Sequence, residues 1–153
     1  VLILATIFTI THCLSLALSV YEVATVDVSL IEFLIPVTIL LTALFNFAYV
    51  YKEALDVGLF LHALATAFFG LIHGFGFSNY FKMLMAEEED KITPLLGFAT
   101  GIELSQVTII LVVLAIAYVI LDLLKVKRSI FIAVASILII AITIPLLIAT
   151  FPK

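Results

Sequence analysis

Residues 57–80 read VGLFLHALATAFFGLIHGFGFSNY, and this stretch decides the fold. It runs for 24 residues without an Asp, Glu, Lys or Arg. A helix of that length spans roughly 36 Å at 1.5 Å per residue, enough to cross a hydrocarbon core of about 30 Å. Inside it sits His73, flanked by Gly70, Gly74 and Gly76. An ionisable side chain in hydrocarbon is costly, and such groups mark pathways or binding sites. The stretch therefore predicts a membrane helix that carries a site.

Four more apolar runs flank it, at about 1–20, 30–51, 94–124 and 129–150. Together they predict an all-α, polytopic transmembrane bundle of five helices in one domain, residues 1–153. Ser29 is the expected N-cap of the second helix and Pro36 its expected kink. Pro94 suits the first turn of the fourth, which is long enough to tilt or protrude. The third helix is expected to break at Gly74–Gly76. The composition agrees: 65% of residues are hydrophobic and 12% charged, against about one quarter charged in a soluble domain. Such a chain places most of its surface against lipid. No extended basic segment offers a nucleic-acid surface. The lone Cys13 excludes an internal disulfide and a multi-cysteine metal site, and reads as an apolar filler. Val1 opens inside an apolar run with no charged leader, so further residues are expected upstream.

Five spans put the connections 52–56 and 125–128 on one side, with Lys52, Lys125, Lys127 and Arg128. Lys82, Lys91 and Lys153 fall on the other. The positive-inside rule then places the first helix's start in the cytoplasm. The acidic run Glu87-Glu88-Glu89-Asp90 reads as a solvated loop.

Depth picks out the candidate site. Counted from the outer ends of their helices, His12 lies roughly 12 Å in, His73 roughly 8–10 Å and Glu103 roughly 14 Å. Two imidazoles and a carboxylate at similar depth form a ligand set for a divalent transition metal. Helix 1 repeats Thr9, His12, Ser15 and Ser19 on one face, which should point inward. Gln106, three residues after Glu103, is placed to orient a ligand. Glu32 lies near the outer interface, and Thr38, Thr42 and Asn46 could line a path inward. His62 is roughly 16 Å from His73, too far to share an ion, and reads as interfacial. Gly70 with Gly74, and Gly97 with Gly101, are small-residue pairs of the kind that let helices approach. They predict that helices 3 and 4 pack through their glycines, carrying His73 toward Glu103. No zinc-protease, phosphate-loop or nucleophile-elbow motif is present, so the chain does not read as an enzyme.

The segments FTITH (residues 8–12) with Ser15-Leu16, Glu32, Asn46, FGLIHGFGF (69–77), and Gly97-Phe98 through Gly101-Ile102-Glu103-Leu104-Ser105-Gln106 resemble the HupE/UreJ family of small bacterial membrane proteins. The likeness covers about residues 4 to 110, with helix 5 alike only in hydropathy. It implies a nickel or cobalt permease of the inner membrane with His12, His73 and Glu103 as ligands. Family members usually begin with a further helix bearing Gly-x-Asp-His, which is not in this sequence, so a complete protein would have six. Copper and zinc also suit the donor set. The rival readings are a non-transporting membrane subunit, docked on a membrane or periplasmic partner, and an intramembrane metalloenzyme.

Overall fold

The computed structural model describes residues 1–51, 58–85 and 90–152, the side chains of Tyr49 and Tyr51 aside. The 52–56 connection, Glu87-Glu88-Glu89 and Lys153 lie outside the described residues. Five helices follow in order: α1 (Leu2–Val20), α2 (Val28–Tyr51), α3 (Leu59–Leu84), α4 (Ile92–Tyr118) and α5 (Arg128–Ala149). A π-helical turn, Val119–Leu123, extends α4. All five are long and apolar enough to cross a membrane, as the runs predict.

The polar pattern is that of a bundle in lipid. Thr9, His12, Ser15, Ser19, Thr38, Ser78, Ser136 and Thr143 are buried, while leucines, isoleucines and phenylalanines dominate the exposed surface. In hydrocarbon there is no gain from hiding Leu, and polar side chains seek partners inside. Many hydroxyls find one on the preceding turn, as when Thr143 donates to the Ile139 carbonyl at 2.7 Å.

Several local expectations change. Asp27, not Ser29, caps α2, its Oδ1 accepting the Leu30 N–H at 3.0 Å. A carboxylate one residue before the first helical turn satisfies an otherwise unpaired donor. α3 does not break at Gly74–Gly76; it is α-helical from Leu59 through Leu84. Glycine only weakens a helix, and here the packing it permits holds the helix intact. Pro36 lies inside α2 and Pro145 inside α5 without ending either. Pro145 was not anticipated as a helix-interior residue.

The helices form a row in which α1 stands between α4 and α3, and α2 between α3 and α5. α3 and α4 do not meet through their backbones. Their glycines explain why. A Cβ on Gly70 would strike the Thr11 hydroxyl and come within 2.7 Å of the Phe8 carbonyl. One on Gly74 would strike Ser15 Oγ and the His12 carbonyl. The small-residue face of α3 is thus spent on α1, its parallel neighbour, and Gly76 faces Ile35 of α2. Gly97 and Gly101 have nothing within 4 Å, so the expected α3–α4 glycine seam does not form. α3 meets α4 instead through rings: Phe98 stacks on Phe77 at 4.7 Å and meets Phe81 edge-on at 5.6 Å. Leu16 and Val20 complete this cluster.

Candidate metal site

The α1–α3 contact sets the geometry. Gly74 lies on the His12 carbonyl, so His73 and His12 stand at one level on adjacent parallel helices. The Phe8 ring is in reach of both, 5.7 Å from His12 and 5.4 Å from His73 by ring centroids. Phe98 of α4 covers His12 from the third side at 5.9 Å. The stripe Thr9, His12, Ser15 and Ser19 is buried throughout, as its spacing predicts.

The two imidazoles differ in their bonding. His73 Nδ1 donates to the Phe69 carbonyl at 2.8 Å. That bond fixes the tautomer of a neutral ring and leaves Nε2 with its lone pair. His12 is 7% exposed, and both of its ring nitrogens are buried without a hydrogen-bond partner. Buried polar groups are nearly always paired, so an imidazole with neither nitrogen engaged calls for an explanation. Thr9 Oγ1, one turn away, is buried and unpaired as well.

Glu103 is held apart from them. Its Oε1 accepts the Thr6 hydroxyl at 2.9 Å, and its Oε2 is buried without a partner. α1 and α4 are antiparallel: Phe98 lies beside His12, and Glu103 beside Thr6. Five residues separate Phe98 from Glu103, about 7.5 Å along the axis. Among the described residues, no group of three or more His, Cys, Asp and Glu side chains could hold one metal ion. The structure brings His12 and His73 together and sets Glu103 about one and a half turns deeper.

The other candidates scatter. Ser15 Oγ donates to the His12 carbonyl at 3.0 Å, a backbone bond that leaves the imidazole alone. Gln106 is half-buried and bonds neither Glu103 nor a histidine. Glu32 and Asn46 are exposed on α2, which packs on α3 and α5 and not on α1. His62 is exposed near the start of α3, as expected of an interfacial residue. Sequence reasoning missed Thr6, Phe8 and Phe98. Thr6 was within reach, since Thr6, Thr9 and His12 continue one stripe at three-residue spacing. Phe8 and Phe98 fall in the family-like segments FTITH and Gly97-Phe98, but nothing in their spacing marks them, among the chain's 13 phenylalanines, as the rings that meet His12.

Comparison with curated proteins finds no match, and comparison with solved structures finds none. A family model described as HupE / UreJ protein matches residues 1–150, and the chain belongs to that family.

Proposed function

We propose that this protein is a permease of the bacterial inner membrane that carries a divalent transition metal, nickel or cobalt, past His12, His73 and Glu103. The observation that carries the reading is His12, buried beside a second imidazole with both ring nitrogens unengaged. Neutral imidazole nitrogens are ligands for such ions. His73 offers Nε2, its other nitrogen anchored to backbone in the manner of a metal-binding histidine. The free Oε2 of Glu103, on α4 beside Thr6, is the next donor inward. A cation passing from the imidazoles to the carboxylate exchanges neutral donors for a charged one. Five apolar helices and membership in a family of membrane proteins support the location. Family association is with transport and not catalysis, in keeping with a carrier.

The test is metal content and proteoliposome uptake of the purified chain, wild type beside His12→Ala, His73→Ala and Glu103→Ala. One nickel or cobalt per chain is expected at saturating metal, with uptake cut at least tenfold in each variant, since losing even a partner of a ligand costs about 10–100-fold. A folded wild type that takes up no nickel, cobalt, copper or zinc would overturn the reading. So would a His73→Ala protein that moves nickel normally. One observation favours the subunit reading: Gly97 and Gly101 leave a face of α4 open to a partner helix. A metal-free chain that purifies only with another membrane protein would establish it.

A further inference from the structure

A second polar feature lies at the end of the bundle where α1 and α3 finish. Ser19, Thr25, Ser78, Asn79 and Lys82 line a pocket of about 100 Å³ there. One water needs roughly 10–15 Å³ on the same measure, so the space takes a group of several heavy atoms. His73 is nine residues from Lys82, roughly 13 Å along α3. Phe75, two residues from His73, closes the inner end of the pocket, but its α3 polar groups, Ser78 to Lys82, stand roughly 8–13 Å from His73 along the helix; the anion reading does not depend on the permease reading.

Its chemistry has one sign. Lys82 is the only charged residue in the lining; it also borders the adjoining cavity, where Glu22 and Lys91 stand, and makes no ion pair with Glu22. Among the described residues, the Lys82 ammonium, the Asn79 amide and the Ser19 and Thr25 hydroxyls make no hydrogen bond or ion pair. Between them they offer N–H and O–H donors from α1, α3 and the connection 21–27. Ser78, whose proton goes to the Phe75 carbonyl at 2.7 Å, is the exception. Lys82 lies in the last turn of α3, where the helix dipole favours a cation. The dipole accounts for the charge but not for donors arriving from two other elements. A cation would meet Lys82 head-on, whereas an oxyanion would engage every free donor.

We propose that this pocket binds an oxyanion, a phosphate or carboxylate group, with Lys82 as its counter-charge and Asn79, Ser19 and Thr25 as hydrogen-bond donors. The group could come from a phospholipid headgroup of the adjacent leaflet or from a soluble anion, and the same experiment tells them apart.

The full chain, in maltoside micelles and stripped of lipid, is titrated with inorganic phosphate while the Asn79 side-chain amide is followed by ¹⁵N NMR. A saturable shift is expected. Lys82→Gln should raise its midpoint about tenfold, the effect of removing one charge-assisted hydrogen bond. Lys82→Arg should restore it. Lys91→Gln should change it far less, because Lys91 lines the neighbouring cavity and is not in the lining of this one. Phosphatidylglycerol is then added. If it displaces phosphate at near-equimolar amounts, the occupant is a lipid headgroup; if phosphate binding persists, it is a soluble anion. The proposal falls if neither phosphate nor phosphatidylglycerol shifts the amide saturably. It falls equally if a folded Lys82→Gln protein, with an otherwise native spectrum, responds as the wild type does.

Discussion

Gly74→Ala should be among the most damaging single-methyl additions to this protein, and Gly97→Ala among the least. At Gly74 the added Cβ would strike Ser15 Oγ and the His12 carbonyl oxygen and lie 2.9 Å from the His12 carbonyl carbon. Two of those three atoms are α1 backbone, which cannot rotate aside. The helices must separate, and every contact along their seam loosens. Overpacking of a tight site costs about 1–3 kcal/mol where neighbours can adjust, and Gly74 belongs at or above the top of that range. At Gly76 the nearest atom is Ile35 Cδ1 at 2.6 Å, the far end of a flexible side chain, so Gly76→Ala should cost less. At Gly97 there is nothing within 4 Å. There alanine gains up to about 1 kcal/mol of helix propensity at no steric cost. Gly74→Ala gains the same propensity inside α3, so that gain cancels and the gap between the two is the overpacking cost alone, about 3 kcal/mol. Equilibrium unfolding in mixed micelles, titrated with sodium dodecyl sulfate, measures it directly. Equal destabilisation by the two substitutions would refute the reasoning, because it would mean that both glycine pairs line one seam between α3 and α4.

Three further outcomes follow from particular contacts. Thr6→Val removes the one hydrogen bond to Glu103, which lies at an exposed position, and should cost about 0.5–1.5 kcal/mol, the net worth of a typical hydrogen bond; unfolding in the same micelles, with Thr6→Ser as the control that keeps the hydroxyl, checks it. Phe98→Ala deletes ring contacts with Phe77 and Phe81 and should cost about 1–3 kcal/mol at 0.5–1.5 per pair, while loosening the cover over His12, read as faster hydrogen exchange of α4 amides. Asp90 caps α4 with Oδ1 on the Ile92 N–H at 2.9 Å and Oδ2 on the Thr93 hydroxyl at 2.6 Å. The Thr93 hydroxyl first, and the Ile92 amide after it, hold this carboxyl below its ordinary 3.8. A depressed folded value means that the cap's contribution is whole above pH 3.8 and is lost as pH falls through the lower folded value. Exchange at Ile92 and Thr93 should therefore stay protected at pH 5 and rise only below pH 3.8, and in Asp90→Asn that acid-dependent step should disappear.

The helices were legible because lipid imposes a length and a polarity that no packing detail overrides. The runs at about 1–20, 57–80 and 129–150 correspond to Leu2–Val20, Leu59–Leu84 and Arg128–Ala149 within a few residues. Buried stripes were legible too, since Thr9, His12, Ser15 and Ser19 sit on one helical face whichever helix covers them. Which helix does cover them was not legible. Gly70-xxx-Gly74 and Gly97-xxx-Gly101 are the same pattern, and the pattern does not name its partner. Shape chose it: Thr11 and Ser15, on α1, offer the small surface that the α3 glycines fit, whereas α3 reaches α4 through bulky phenylalanines that hold the backbones apart. The relative depth of Glu103 was likewise beyond a count from helix ends. The count assumes that helices end at one plane; from the observed ends, Leu84 and Ile92, His73 and Glu103 would share one depth of roughly 16 Å, yet the contacts put Phe98 beside His12 and Glu103 beside Thr6.

That offset bears on what the site can do. The imidazoles belong to α1 and α3, the most intimately packed pair in the bundle, and the glycines between them fix their separation. Glu103 belongs to α4, a helix with no fully buried residue, tied here by the Thr6 hydroxyl. On the proposed reading, an ion at the histidines has two rigid nitrogen ligands and takes its remaining donors from water. Storage or structural sites close the coordination sphere with protein ligands, whereas a site left partly open keeps a route for the ion to leave. Conduction requires binding strong enough to admit an ion and weak enough to release it. Two nitrogens at one level, with a carboxylate about 7.5 Å further along, divide those demands between successive stations. A mature three-ligand cage would satisfy the first demand and fail the second. On the proposed reading, the separation of Glu103 from the histidines suits transit over retention, and measured metal affinity should be modest.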